Sequence, residues 1–158
     1  MRTLIGAIAG IALFGVFAGS AHADGEGLSG FQTVEVQVAV PRGESTPCKI
    51  DPGLLRARIA EKLQAGGIPI GTSALTLRAS ATTLSDAIQG RCISSVLLEA
   101  YTAQTTVLQA TRNSIVADIP LWRATSIASS DAVGHSERVG SAIAIISEKF
   151  VAAFKANQ

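Results

Sequence analysis

The chain has 158 residues, with 13 basic and 12 acidic side chains for a formal net charge of +1. Charge is sparse and evenly mixed, which argues against nucleic acid and anionic membrane surfaces, since both are held by clustered Lys and Arg. Two cysteines and two histidines, with no C-x-x-C and no phosphate loop, leave no metal-ligand spacing to read. No metal and no cofactor is expected.

Met1 to Ala23 reads as a secretory signal. Arg2 supplies the positive n-region, Leu4 to Ala18 the apolar stretch, and Ala21-His22-Ala23 an A-x-A cleavage site. The apolar run is about 15 residues, interrupted by Gly6, Gly10 and Gly15, and falls short of the roughly 20 that a spanning helix needs. No integral membrane segment is therefore expected after cleavage. No cysteine lies near the cleavage site, so no N-terminal lipid anchor is expected either. Residues 24–158 should form a single exported α+β domain, periplasmic or secreted, long enough for one core and too short for two. Arg2 leaves with the signal, so the mature part carries 12 basic and 12 acidic residues.

Asp24 to Gly30 reads as a leader. Strand one, TVEVQVAV, places Val34, Val36, Val38 and Val40 on one face, the alternation of a half-buried strand. Pro41 to Cys48 is a loop. The pair Cys48 and Cys92 reads as a disulfide in an oxidising compartment, with two buried thiols as the alternative. Asp51 is the N-cap of helix one and Pro52 its first residue; Leu55, Ile59 and Leu63 form the apolar stripe, and Gly66-Gly67 the stop. Ile68-Pro69-Ile70 is a short extended piece.

Strand two, ALTLRASAT, points Leu75, Leu77, Ala79 and Ala81 one way, and Thr83 to Arg91 reads as a polar loop. Ile93 to Ala128 is a long β-hairpin turning at Arg112-Asn113-Ser114, around which the other elements must pack. Pro120 marks an edge strand or a bulge in the return arm. After a loop from Ser129 to Gly134, the last helix runs from about His135 to Ala156, with Val139, Ile143, Ile146, Phe150 and Ala153 on its apolar face. The order β-α-β-β-β-α implies a four-stranded, mainly antiparallel sheet with two helices packed on one face.

This pattern resembles a family of small uncharacterised exported proteins of proteobacteria. The landmarks are the valine-alternating first strand, the helix ending EKLQAGGIPI, the cysteine heading a long hairpin, the late tryptophan and the closing EKFVAAF helix. They cover most of residues 33–155. The element order is also similar to domains of envelope-assembly accessories, such as the curli-secretion and penicillin-binding-protein-activator lipoproteins. The resemblance implies a role in the cell envelope and assigns no site residues.

Among candidate sites, His135 sits in SSDAVGHSE, the only histidine after the signal. Its setting suits a helix start, with Ser and Asp capping and Glu137 at the positive end of the dipole. A hydrolase using His135 is the rival, although no nucleophile elbow is present. Glu35, Glu99 and Asp118 fall on strands, and Glu99 and Asp118 are possible cross-strand neighbours, as a carboxylate pair would require. If Val96, Leu98 and Ala100 face the helices, alternation sends Leu97 and Tyr101 outward, and if Ile115, Ala117, Ile119 and Leu121 are also inward, Val116 and Trp122 join them as a contact surface. The alternative is a bulge at Pro120 that buries Trp122 under the last helix. The sequence thus favours a non-catalytic exported protein acting on an unknown protein partner in the envelope. A carrier for a lipid or other apolar ligand is the second reading.

Overall fold

The computed structural model describes residues 25–40, 48–86, 88–108 and 113–158. The expected signal peptide, most of the Pro41 to Cys48 loop and the tip of the long hairpin lie outside them. The elements are β1 (Glu35–Ala39), α1 (Pro52–Ala65), β2 (Leu75–Asp86), β3 (Arg91–Leu108), β4 (Asn113–Asp131) and α2 (His135–Ala156), preceded by a 3-10 turn at Gly25–Leu28. The sheet has four strands in the order β1-β2-β3-β4. Its first pair is parallel and the other two antiparallel. This is the expected α+β architecture.

Local chemistry starts α1 as the sequence suggests. Asp51 Oδ1 accepts from the Gly53 N–H at 2.8 Å, which supplies one of the helix's orphan donors with a partner. Leu55, Ile59 and Leu63 are all fully buried. The helix ends at Gly66, and Gly67 takes the left-handed φ of 72° that a side chain resists. Beyond it, Val34 N–H donates to Pro69 O and Gly71 N–H to Val34 O, so the Ile68-Pro69-Ile70 piece runs beside the start of β1.

In α2 the core face is Val139, Ile143, Ile146, Phe150 and Phe154, a stripe at spacings of three and four. The two helices run in the same direction. The Asp51 N–H donates to Ser136 Oγ at one end, Lys62 pairs with Glu148 further along, and Gly66 meets Val151 at the other. A Cβ at Gly66 would lie 2.5 Å from Val151 Cγ1, so the close approach there depends on glycine. The hydrogen bond and charge of Glu148 hold the half-buried Lys62 side chain's ammonium above its ordinary pKa of 10.5.

The last loop is shorter than expected, since Ser129, Ser130 and Asp131 continue β4 and pair with Ile93, Cys92 and Arg91, and Asn113 and Ser114 of the expected hairpin turn are already strand, paired with Leu108 and Val107. Three further expectations change. First, the stretch from Thr83 to Arg91 is not a loop throughout: Thr83, Leu84, Ser85 and Asp86 continue β2 and pair with Ser94, Ile93, Cys92 and Arg91. The reversal is confined to the residues before β3, where Asp86 Oδ1 accepts from the Ile88 and Gln89 N–H groups and Gly90 has a φ of 63°. Second, Trp122 does not face outward. Ala100 pairs with Trp122 and Tyr101 with Pro120, so Leu121 is an extra residue and the face alternation of β4 inverts across it. Ile115, Ala117, Ile119 and Trp122 consequently share the helix side, and Trp122 packs edge-on against Phe150 with centroids 5.2 Å apart. Third, Glu99 pairs with Arg123 and Asp118 with Ala103, so the two carboxylates are not neighbours.

Candidate functional site

The helix face of the sheet is apolar from Leu75 to Ala81 and from Val96 to Ala100, then turns polar where β2, β3 and β4 approach the start of α2. There Ser94 and His135 are both fully buried. Ser94 Oγ lies 2.7 Å from His135 Nε2 and 2.6 Å from Thr83 Oγ1, its cross-strand partner. Ser130 Oγ lies 2.9 Å from His135 Nδ1 and donates to the Asp131 carbonyl at 2.8 Å. A hydroxyl has one proton to give, so Ser130 must accept from His135, which places the ring proton on Nδ1. In the neutral ring, Nε2 then accepts from Ser94, and Ser94 accepts from Thr83. The bonds run in one direction through residues of three strands and a helix.

The cap expected around His135 takes a different form. The N-cap position is Gly134, with no side-chain cap; Asp131 Oδ1 accepts from its N–H, and Ser136 is turned to α1. Glu137 does occupy the first turn. His135 is oriented into the core because Ser94 and Ser130 receive its two nitrogens, a role its local sequence did not signal. Cys48 and Cys92 are joined beside it, with Cα atoms 5.7 Å apart. Cys92 precedes Ser94 on the same face and pairs with Ser130, so disulfide and polar chain share one end of the sheet.

A serine hydroxyl on a histidine nitrogen is the arrangement of an activated nucleophile. Here both groups are sealed from solvent, so no substrate reaches them. Two shallow open grooves of about 260 and 290 Å³ are lined by other residues, at the C-terminal ends of the helices and between the helices. Among the described residues, no three His, Cys, Asp or Glu side chains converge as metal ligands, and no helix is long and apolar enough to cross a membrane.

The opposite face of the sheet carries a second polar chain. The Arg78 guanidinium stacks over the Tyr101 ring at 4.2 Å and donates to the Tyr101 hydroxyl and to Asp118 Oδ2. Tyr101 donates to Gln37 Oε1, and Gln37 Nε2 to Glu35 Oε1, both at 3.2 Å. Burial lowers the Arg78 pKa, but Tyr101 and then Asp118 outweigh it, so the group stands above its ordinary value. Sequence reading missed Arg78 and Gln37 because nothing in their own strands marks them; only register brings four strands' side chains together.

Of the expected contact row, Tyr101 is 7% exposed beneath Arg78 and Trp122 is 2% exposed on the other face. Leu97 is half-buried and Val116 is 71% exposed. These four do not form one outward patch, because the bulge removes Trp122 and the arginine covers Tyr101. Other apolar side chains are exposed instead: Leu84 and Ile93, paired across β2 and β3, with Ile127 diagonal to Ile93 on β4.

No family model matches the chain, and no curated protein sequence matches it. Among solved structures it is similar to the PelC dodecamer of Paraburkholderia phytofirmans, at 16% identity over 85% of this chain and 94% of that one, with a TM-score of 0.47. It is similar to a minor lipoprotein of Acinetobacter baumannii, at 12% identity over 82% and 94% of the two chains and a TM-score of 0.45. A third likeness is to a Xanthomonas campestris protein, at 10% identity over 80% and 87%, with a TM-score of 0.41. No role for this chain follows from likeness at that level.

Proposed function

We propose that residues 24–158 act as one exported, non-catalytic unit of the bacterial cell envelope that works through protein contacts made by its sheet. The observation that carries this reading is the long hairpin's exposed apolar surface. β3 and β4 extend beyond the start of β2 at Leu75, whose partner is Thr102, so residues 103–108 and 113–118 project as a two-stranded ribbon. Val107, Ile115 and Val116 are all exposed on it, and Ile119 is exposed at its base. A ribbon of this kind is at best marginally stable alone, and its open edges are templates for another strand. The disulfide supports the compartment, since such bonds persist outside the cytosol. The hydrolase reading requires access to His135, which is fully buried. The carrier reading requires an open interior, whereas Leu98, Ile143, Ile146 and Phe150 fill the space between sheet and helices.

Photo-crosslinking in a Gram-negative host tests the reading. A benzophenone side chain at Val107 should give discrete protein adducts in the periplasmic fraction, and one at Lys149 on α2 should not. Retention in the cytoplasm with both cysteines reduced, or equal labelling from the two positions, would overturn it.

A further inference from the structure

We infer that the outer edge of β4 binds a second copy of this chain, joining the two sheets antiparallel about a two-fold axis at Pro120 and Leu121. The inference deepens the reading of the sheet as a protein-contact surface by naming one partner, and rests on it. Among the described residues no strand pairs with this edge, which runs from Asn113 to Asp131; the 3-10 turn at Gly25–Leu28 packs on β4 with Gly27 against the Leu121 side chain, without adding a strand. The strand has two unlike halves. Residues 122–131 lie against a sheet supported by helices, while residues 113–118 belong to the projecting ribbon. An antiparallel copy sets each unsupported half beside the other molecule's supported half, so each ribbon gains the third strand that it lacks.

The side chains fix the register. Arg123 pairs with outward Glu99, and Asp118 reaches Arg78, so both β4 charges lie on the open face. They are an odd number of residues apart and share that face only because Leu121 is extra. Opposing Asp118 to Arg123 of the second copy makes two symmetric opposite-charge pairs. The same register sets Val116 opposite Thr125 and diagonal to Ile127, bringing together side chains that are 71% and 70% exposed in the single chain. On the helix face it brings Ile119 beside Trp122. Pro120, which has no N–H to offer, falls at the axis against the one residue outside the β3–β4 ladder. The pairing is self-complementary, as a two-fold interface must be.

Light scattering and sedimentation of the purified exported protein should give twice the chain mass. Asp118→Arg or Arg123→Asp alone should weaken association by about tenfold or more, and the double exchange should restore it. A second variant set does not depend on energetics. Asp118→Cys and Arg123→Cys in one chain sit roughly 16 Å apart along an extended strand, too far for a bond within it. Under oxidation the double variant should form a covalent dimer and each single variant should not cross-link at the partner position. A monomer at every concentration, or a dimer that neither responds to the charge reversals nor cross-links, would overturn the inference. Envelope adducts from Val107 to other proteins, with the chain itself monomeric, would defeat the dimer and leave protein contact standing.

Discussion

At His135 a single side chain ties the start of α2 to two strands. Ser94 and Ser130 bond its two ring nitrogens from β3 and β4, and Thr83 extends the chain into β2. Replacing it with leucine fills much of the volume but strips partners from buried hydroxyls. Each orphaned group costs about 1–3 kcal/mol, so His135→Leu should destabilise the protein by roughly 2–5 kcal/mol in urea unfolding; an unchanged midpoint would mean that the network is dispensable. Trp122 offers a second check at this scale. It is the only tryptophan, it is buried against Phe150, and its Nε1 has no hydrogen-bond partner among the described residues. Its emission should be blue-shifted and poorly quenched by acrylamide. Emission near that of free indole would place the ring in water and contradict the β4 bulge.

The helices were readable in the sequence because burial imposes a 3.6-residue period on them and their stop signals are local. Asp51-Pro52 and Gly66-Gly67 sit at the ends of α1, and His135 to Ala156 bounds α2 as expected. The strands were readable only where their helix face is apolar. Thr83 and Ser85 looked like loop because they are polar, yet they continue β2, with Thr83 reaching Ser94 beside His135. Likewise Pro120 flagged an irregularity, but the inversion of faces follows from one unpaired residue that no composition reveals. The helix contact yields the prediction for this scale. A methyl at Gly66 would meet Val151 Cγ1 and also approach the Leu63 carbonyl at 3.2 Å. Gly66→Ala should thus cost about 1–3 kcal/mol through overpacking, despite alanine's better helix propensity. Val151→Ala in the same chain should recover most of that loss, whereas a stabilising Gly66→Ala would show that the helices can separate freely.

Across the whole molecule, the disulfide joins the entry of α1 to the start of the long hairpin. Cys48 and Cys92 are 44 residues apart, and both are buried. Closing a loop of that length restricts the unfolded chain by about 4 kcal/mol on the loop-entropy estimate. The same end of the fold also carries the Ser136 bond to the Asp51 N–H and the His135 chain, so native contacts there do not depend on the bond alone. Reduction should therefore lower stability without erasing the fold's end contacts one by one. The expected outcome is a fall of roughly 3–4 kcal/mol in unfolding free energy for the Cys48→Ala, Cys92→Ala double variant, with Trp122 emission unchanged below the transition. The unreduced protein, unfolded in denaturant, should titrate no free thiol. Thiols appearing there, or a double variant as stable as the parent, would show that the link between α1 and β3 is not closed in the folded protein.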